Sequence, residues 1–268
     1  MTAPLETARP DSALPELLAP LPKGVTRRPR PWLAFRAVYR MLLRNQATRG
    51  RIAVVAGLGG LVVLVAALVG QRGGLDPLEQ GTRYLNYIGI SLLVPVVSLV
   101  FACGSLGDLV DDQSLVYLWL PPVPRWVIAL AAWASTVTIC LPAVAIPLTL
   151  AAIVTKGGGF LIEGVAVSAV LGVVAYTGLF TALGLRFRRA LLWGLAYLLL
   201  WENFIATAGA GTARLSVLSY LRSLMSAYTG VGLTLADRSL PAAYLVPVIV
   251  ALVGVVYTAR RLGKQDIA

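Results

Sequence analysis

Asp108, Asp111 and Asp112 form the densest group of chemistry-bearing side chains in the chain. Carboxylates so grouped can hold a hard cation such as magnesium beside a diphosphate, as an intramembrane lipid-modifying enzyme would require. That enzyme chemistry also calls for a second acidic cluster or an Asp-Gly-x-x-Ala-Arg pattern, and the sequence has neither. Histidine is absent, which removes Ser-His-Asp and Cys-His catalysis and every histidine-ligated metal. Cys103 and Cys140 both lie within apolar runs, so they offer no disulfide framework or zinc cluster and read as buried apolar filler. A phosphate-cradling loop needs G-x-x-x-x-G-K-[S/T]. Its nearest approach is Gly263-Lys264, followed by Gln265 and lacking the upstream glycine. The chain therefore carries no nucleotide site, cofactor site or catalytic constellation of its own, and it reads as a non-enzyme.

Glu202 is the one acid set well inside an apolar run. A carboxylate at such depth is costly and faces protein or a water-filled cavity, so it is a functional candidate by default. Two roles stand open. It can hold a bend in the chain by accepting backbone N–H groups or by pairing with Arg214 or Arg222, which is the preferred reading. It can also line a substrate path.

The elements that must position these groups follow from composition. The chain is 58% hydrophobic and 13% charged, against about 45–50% and about 25% in soluble domains. A bilayer core of roughly 30 Å needs about 20 largely apolar residues in helix. Six stretches qualify: 52–70, 85–103, 126–154, 159–185, 190–209 and 241–259. Pro142 and Pro147 in the third are tolerated in a membrane helix, where neighbours satisfy the freed carbonyls. The expectation is an all-α, multi-pass membrane protein without a signal peptide, since the first apolar run begins after residue 50.

The net charge of +11 has a topological reading. Ten Lys and Arg precede the first span, and with Arg125, Arg186, Arg188, Arg189, Arg260, Arg261 and Lys264 they put 17 of the 23 on one side. Cytoplasmic loops hold such an excess, so both termini are expected in the cytoplasm. Nucleic acid is not expected as a partner; the lipid bilayer is.

Between the spans, residues 1–31 are proline-rich without an apolar period and read as a disordered cytoplasmic arm. Over 32–47, Arg36, Arg40 and Arg44 recur every four residues among aromatic and aliphatic side chains. This predicts a basic amphipathic helix in the cytoplasmic interface, or an ordinary basic flank of the first span. Over 210–240, Ser216, Ser219, Ser223 and Ser226 share one helical arc opposite an apolar face. An extracytoplasmic amphipathic helix that lies on the membrane or dips into it is expected there. The 104–125 loop is acidic, carries Leu115, Leu118 and Trp119 on one helical face, and is stopped by Pro121, Pro122 and Pro124 before Arg125 opens the third span. It reads as a contact surface for a soluble partner, or as a solvated loop.

Asp112, Ser114, Leu115, Leu118, Pro124 and Arg125 together resemble the coupling helix of the ABC-2 type transporter permease, the membrane subunit of bacterial ATP-binding cassette exporters. Tyr197-Leu-Leu-Leu-Trp201-Glu202, followed by Arg214-Leu215-Ser216, is similar to the same family's late fifth span before an external re-entrant helix. The 32–47 helix matches its cytoplasmic connecting helix. Family members often carry Gly-Lys or Ala-Lys after the arginine, where this chain has Ala129, Leu130, Ala131 and Ala132. The resemblance covers residues 32–268. It implies a permease in the bacterial inner membrane that exports a substrate with two copies of a separate ATPase and a second, identical or homologous, permease; the few polar residues in the spans are compatible with an amphiphilic or lipid-like cargo. ATP and magnesium would be held by that ATPase. The coupling loop would comprise Asp108, Asp111, Asp112, Ser114, Leu115, Leu118, Trp119, Pro124 and Arg125. A membrane scaffold without transport is the remaining alternative to the permease and the enzyme.

Overall fold

The computed structural model describes residues 31–71, 76–111, 124–187, 189–202, 204 and 210–264, with positions 108–111 and 210 described by backbone alone. Every regular element among them is helical. In chain order these are α1 (Pro31–Gln46), α2 (Arg49–Gly70), α3 (Pro77–Tyr84), the π-helical segment π1 (Leu85–Leu93), α4 (Val94–Asp111), α5 (Arg125–Val154) and α6 (Gly159–Arg186). There follow α7 (Ala190–Ala196), the second π-helical segment π2 (Tyr197–Glu202), α8 (Ala210–Ala213), α9 (Val217–Thr229) and α10 (Leu240–Lys264).

Five helical stretches are long and apolar enough to cross a membrane: Arg49–Gly70, Pro77–Gly107, Arg125–Val154, Gly159–Arg186 and Leu240–Lys264. Four match expected spans to within a few residues. The second extends well beyond 85–103, because Asp76 caps α3 through the Leu78 amide (3.4 Å) with Pro77 at its first position, and α3, π1 and α4 then run on without a break. Within the expected fifth span, 190–209, the described helix is Ala190–Glu202, about 20 Å long at 1.5 Å per residue, and residues 203 and 205–209 lie outside the described residues. Its packing against the bundle follows a four-residue step, with Ala190, Gly194, Leu198 and Glu202 buried while Leu191, Leu192, Leu195 and Leu199 are exposed.

Close approaches order the two ends of the bundle. At one end the Arg51 guanidinium lies over Gly104, and Gly184 lies against the Cys103 backbone. At the other, Gly70 faces the Val154 carbonyl, and Gly81 faces Leu161 and Thr155. Arg49, Arg51, Arg186, Arg260, Arg261 and Lys264 fall at the first end, and Arg83 and Lys156 at the second. α1 packs near the basic end: Val38 and Leu42 join Ile128, Ala132 and Leu262 in a buried cluster, and buried Gln46 donates to Ser135 Oγ (3.1 Å) and accepts from Thr136 Oγ1 (3.2 Å). The large aliphatic side chains exposed along α2, α5 and α10 suit a surface in contact with lipid.

α9 departs from the expected membrane-surface helix. Residues 217–225 are buried on every side, Arg222 and the serines included, among α6, π1 and α10. The serines tolerate this because they bond to backbone: Ser219 Oγ donates to the Ala213 carbonyl (2.7 Å), and Ser223 Oγ to the Ser219 carbonyl (2.9 Å). Ser216 caps the N-terminus, and Gly230, at φ 69°, ends the helix in the left-handed conformation that glycine adopts freely.

Candidate functional site

Polar side chains collect halfway between the two ends of the bundle. Gly194 packs against Leu99 of α4, and Tyr197 is edge-on to Phe180 of α6, with 6.2 Å between ring centroids. π2 then carries Glu202 to the N-terminus of α9. The carboxylate is buried and accepts from the Tyr197 hydroxyl (2.9 Å), the Ser216 hydroxyl, the Val217 amide (3.2 Å) and the Leu218 amide (3.3 Å). Both amides are first-turn N–H groups without an intrahelical acceptor, and the helix N-terminus favours negative charge. The geometry is thus a side-chain cap supplied by another helix. Neither Arg214 nor Arg222 forms an ion pair with Glu202 among the described residues.

Arg222 lies on the same helix and points into π1. One terminal nitrogen donates to Ser91 Oγ (3.1 Å), and Ser91 in turn donates to the Asn86 carbonyl (2.7 Å). The Arg222 Nε and both amide atoms of Asn86 have no partner among the described residues. Arg222 is 5% exposed and Asn86 is 1% exposed. Along Pro77–Gly107, Ser91 is about 24 Å from the first end and about 21 Å from the second, so the hydroxyl that holds the guanidinium sits about midway between them. No described carboxylate lies within ion-pair distance of it, and Glu202, Tyr87 and Tyr176 are within its electrostatic reach.

The other sequence-nominated groups lie elsewhere. Pro124 directly precedes α5 with extended backbone (φ −58°, ψ 133°), and Arg125 is its first residue. Asp108 and Asp111 belong to the last turns of α4. Asp112, Ser114, Leu115, Leu118 and Trp119 lie outside the described residues. Arg36, Arg40 and Arg44 are all exposed along α1, whose opposite edge, Ala34, Val38, Leu42 and Gln46, is buried. An apolar groove of about 700 Å³ runs between α2 and α5, past Gly59, Gly60, Pro147 and Leu150, and shares no residue with the mid-depth polar layer.

Sequence reading picked out Glu202 and took Arg222 as a loop charge and a possible partner of Glu202, but passed over Asn86 and Ser91. The available signals were an amide at the head of an apolar run and the one charge in Val217–Thr229. The π-helical turn in which Ser91 bonds the Asn86 carbonyl has no local sequence mark. Compared with protein-family models, curated proteins and solved structures, the chain matches none of them significantly.

Proposed function

We propose that this chain is the membrane permease subunit of an ATP-driven exporter. The observation that carries the reading is the buried Glu202 carboxylate at the end of α7–π2, which caps α9 from another helix. Ionisable side chains within membrane spans face the protein interior or a cavity and mark substrate paths. Transport proteins place substrate groups at helix termini near the bilayer midplane. A scaffold would have no use for a buried carboxylate and a buried guanidinium at that level.

In this reading α7–π2 and α9 together complete a sixth crossing, and α9 is the returning half of a re-entrant element on the extracytoplasmic side. Both termini then lie in the cytoplasm, in keeping with the basic end of the bundle and the exposed arginines of α1. The loop after α4 and the start of α5 meet the ATPase, which supplies ATP, magnesium and the hydrolysis that this chain lacks residues to perform. A second permease copy completes the transporter in the bacterial cell membrane.

Co-expression with a Walker-A ATPase taken from the neighbouring reading frames tests the proposal. The expected result is a stable complex that purifies in detergent and separates when Trp119→Asp or Leu118→Asp is introduced. A folded chain that binds no such ATPase, or a complex indifferent to both substitutions, would overturn it.

A further inference from the structure

We propose that Arg222 and Asn86, with Ser91 holding the guanidinium in place, bind the anionic headgroup, phosphate or carboxylate, of an amphiphile that this chain handles. The inference deepens the permease reading, and rests on it only in naming that amphiphile as the transported substrate.

A guanidinium at mid-depth among apolar helices is costly unless it is paired, and such residues face a partner or a pathway. Here the single protein partner among the described residues is a neutral hydroxyl, Ser91 Oγ. Nε remains available, and the neighbouring Asn86 amide has two donors and an acceptor unused. The free guanidinium nitrogen and the free amide donors suit an oxyanion, which takes forked hydrogen bonds from arginine. The Asn86 acceptor can receive a hydroxyl of the same headgroup. Ser91 links the two: its hydroxyl accepts from the guanidinium and donates to the Asn86 carbonyl five residues back, along the π-helical turn.

Access points to an amphiphile over a free ion. π1 turns Tyr87, Ile88 and Leu92 outward, at 56%, 36% and 52% exposure. Tyr87 is also close enough to Arg222 to interact with its charge. The binding groups therefore lie one side-chain layer beneath an apolar flank. An anion arriving through that flank needs an apolar tail.

The test is thermal unfolding of the purified full chain in a neutral detergent, with four probes: phosphatidic acid, oleate, inorganic phosphate and zwitterionic phosphatidylcholine. Phosphatidic acid or oleate, at roughly a hundredfold its dissociation constant, should raise the Tm by about 5–10 °C. The other two should not. Arg222→Gln should abolish the shift and leave the unliganded Tm equal or higher, since it removes a buried charge with no described carboxylate within ion-pair distance; Arg222→Lys should restore part of the shift. Asn86→Leu, which introduces no polar group, should weaken binding about tenfold. The Arg36→Gln, Arg40→Gln, Arg44→Gln triple variant should respond as the parent does.

An equal shift in Arg222→Gln, or no shift in the parent with any anionic probe, would overturn the site. A shift with inorganic phosphate alone would overturn the amphiphile. A lower unliganded Tm in Arg222→Gln without loss of a ligand shift would mark the residue as structural and overturn the proposal. The readout needs no ATPase. A lost shift in a chain that still binds its ATPase sinks the site alone, whereas an intact shift in a chain that binds none sinks the permease reading alone.

Discussion

The crossing of α6 and α10 allows one packing prediction to be worked through. At this point the two backbones touch. A Cβ built on Gly254 would lie 2.3 Å from the Gly178 carbonyl oxygen and 2.5 Å from its carbon, and one built on Gly178 would lie 2.6 Å from the Ala251 Cα. An ordinary carbon–oxygen contact needs roughly 3.2 Å, so Gly254→Ala must part the helices by about 1 Å, and no flexible side chain is there to yield. Overpacking of this kind costs about 1–3 kcal/mol. In lipid, where close packing and not the expulsion of water drives helix association, the loss spreads along the interface. Exchange of glycine for alanine also returns up to about 1 kcal/mol of helix propensity. The net expectation is a Tm fall of about 3–8 °C, read by size-exclusion chromatography of heated, detergent-solubilised protein. Gly57→Ala is the matched reference, since its added Cβ meets nothing within 4 Å, and it should hold or raise the Tm. The double variant Gly178→Ala, Gly254→Ala should fall short of the summed single losses, because one separation relieves both clashes. Equal Tm changes in Gly254→Ala and Gly57→Ala would refute the argument.

Three further outcomes are expected. Glu202→Gln keeps one acceptor oxygen but turns an amide group toward two donors, either Ser216 and Leu218 or Tyr197 and Val217; it should cost about 2–4 kcal/mol in thermal unfolding, and an unchanged Tm would dismiss the cap. Gln46→Leu should cost under about 1 kcal/mol globally, since Ser135 and Thr136 keep their bonds to the Ala132 carbonyl, while amide exchange across α1 accelerates; unaltered exchange would show that Gln46 does not anchor that helix. Cys103 and Cys140, at 3% and 0% exposure, should resist a water-soluble maleimide in the folded protein and react fully after denaturation, as mass spectrometry would register.

The long helices were legible because apolar length and charge placement are summed over many residues. Gly158 and Arg186 bracket α6 almost where hydropathy puts its limits, and Pro124 marks the start of α5. Glu202 stood out as one carboxylate among leucines. What escaped depends on partners distant in sequence. The serine arc of α9 reads as a wet face, yet the helix is buried because backbone carbonyls answer the hydroxyls. Arg222 gains its meaning from Ser91, far upstream, and from the lack of a described carboxylate within ion-pair distance. Gly57, Gly59 and Gly60 look alike as small residues of one span. Only Gly59 meets a neighbour, with its added Cβ 3.0 Å from the Pro147 ring, while the other two face open space. Periodicity cannot tell these positions apart, because the difference lies in what stands opposite.

The Ala190–Glu202 helix also bears on how the chain is made. Its described part, about 20 Å long, ends on a carboxylate whose backbone partners belong to α9. During synthesis those partners emerge later than Glu202 itself. The cap on Glu202 can therefore close only after the start of α9 has left the ribosome, so a shorter nascent chain carries this carboxylate without its two amide donors.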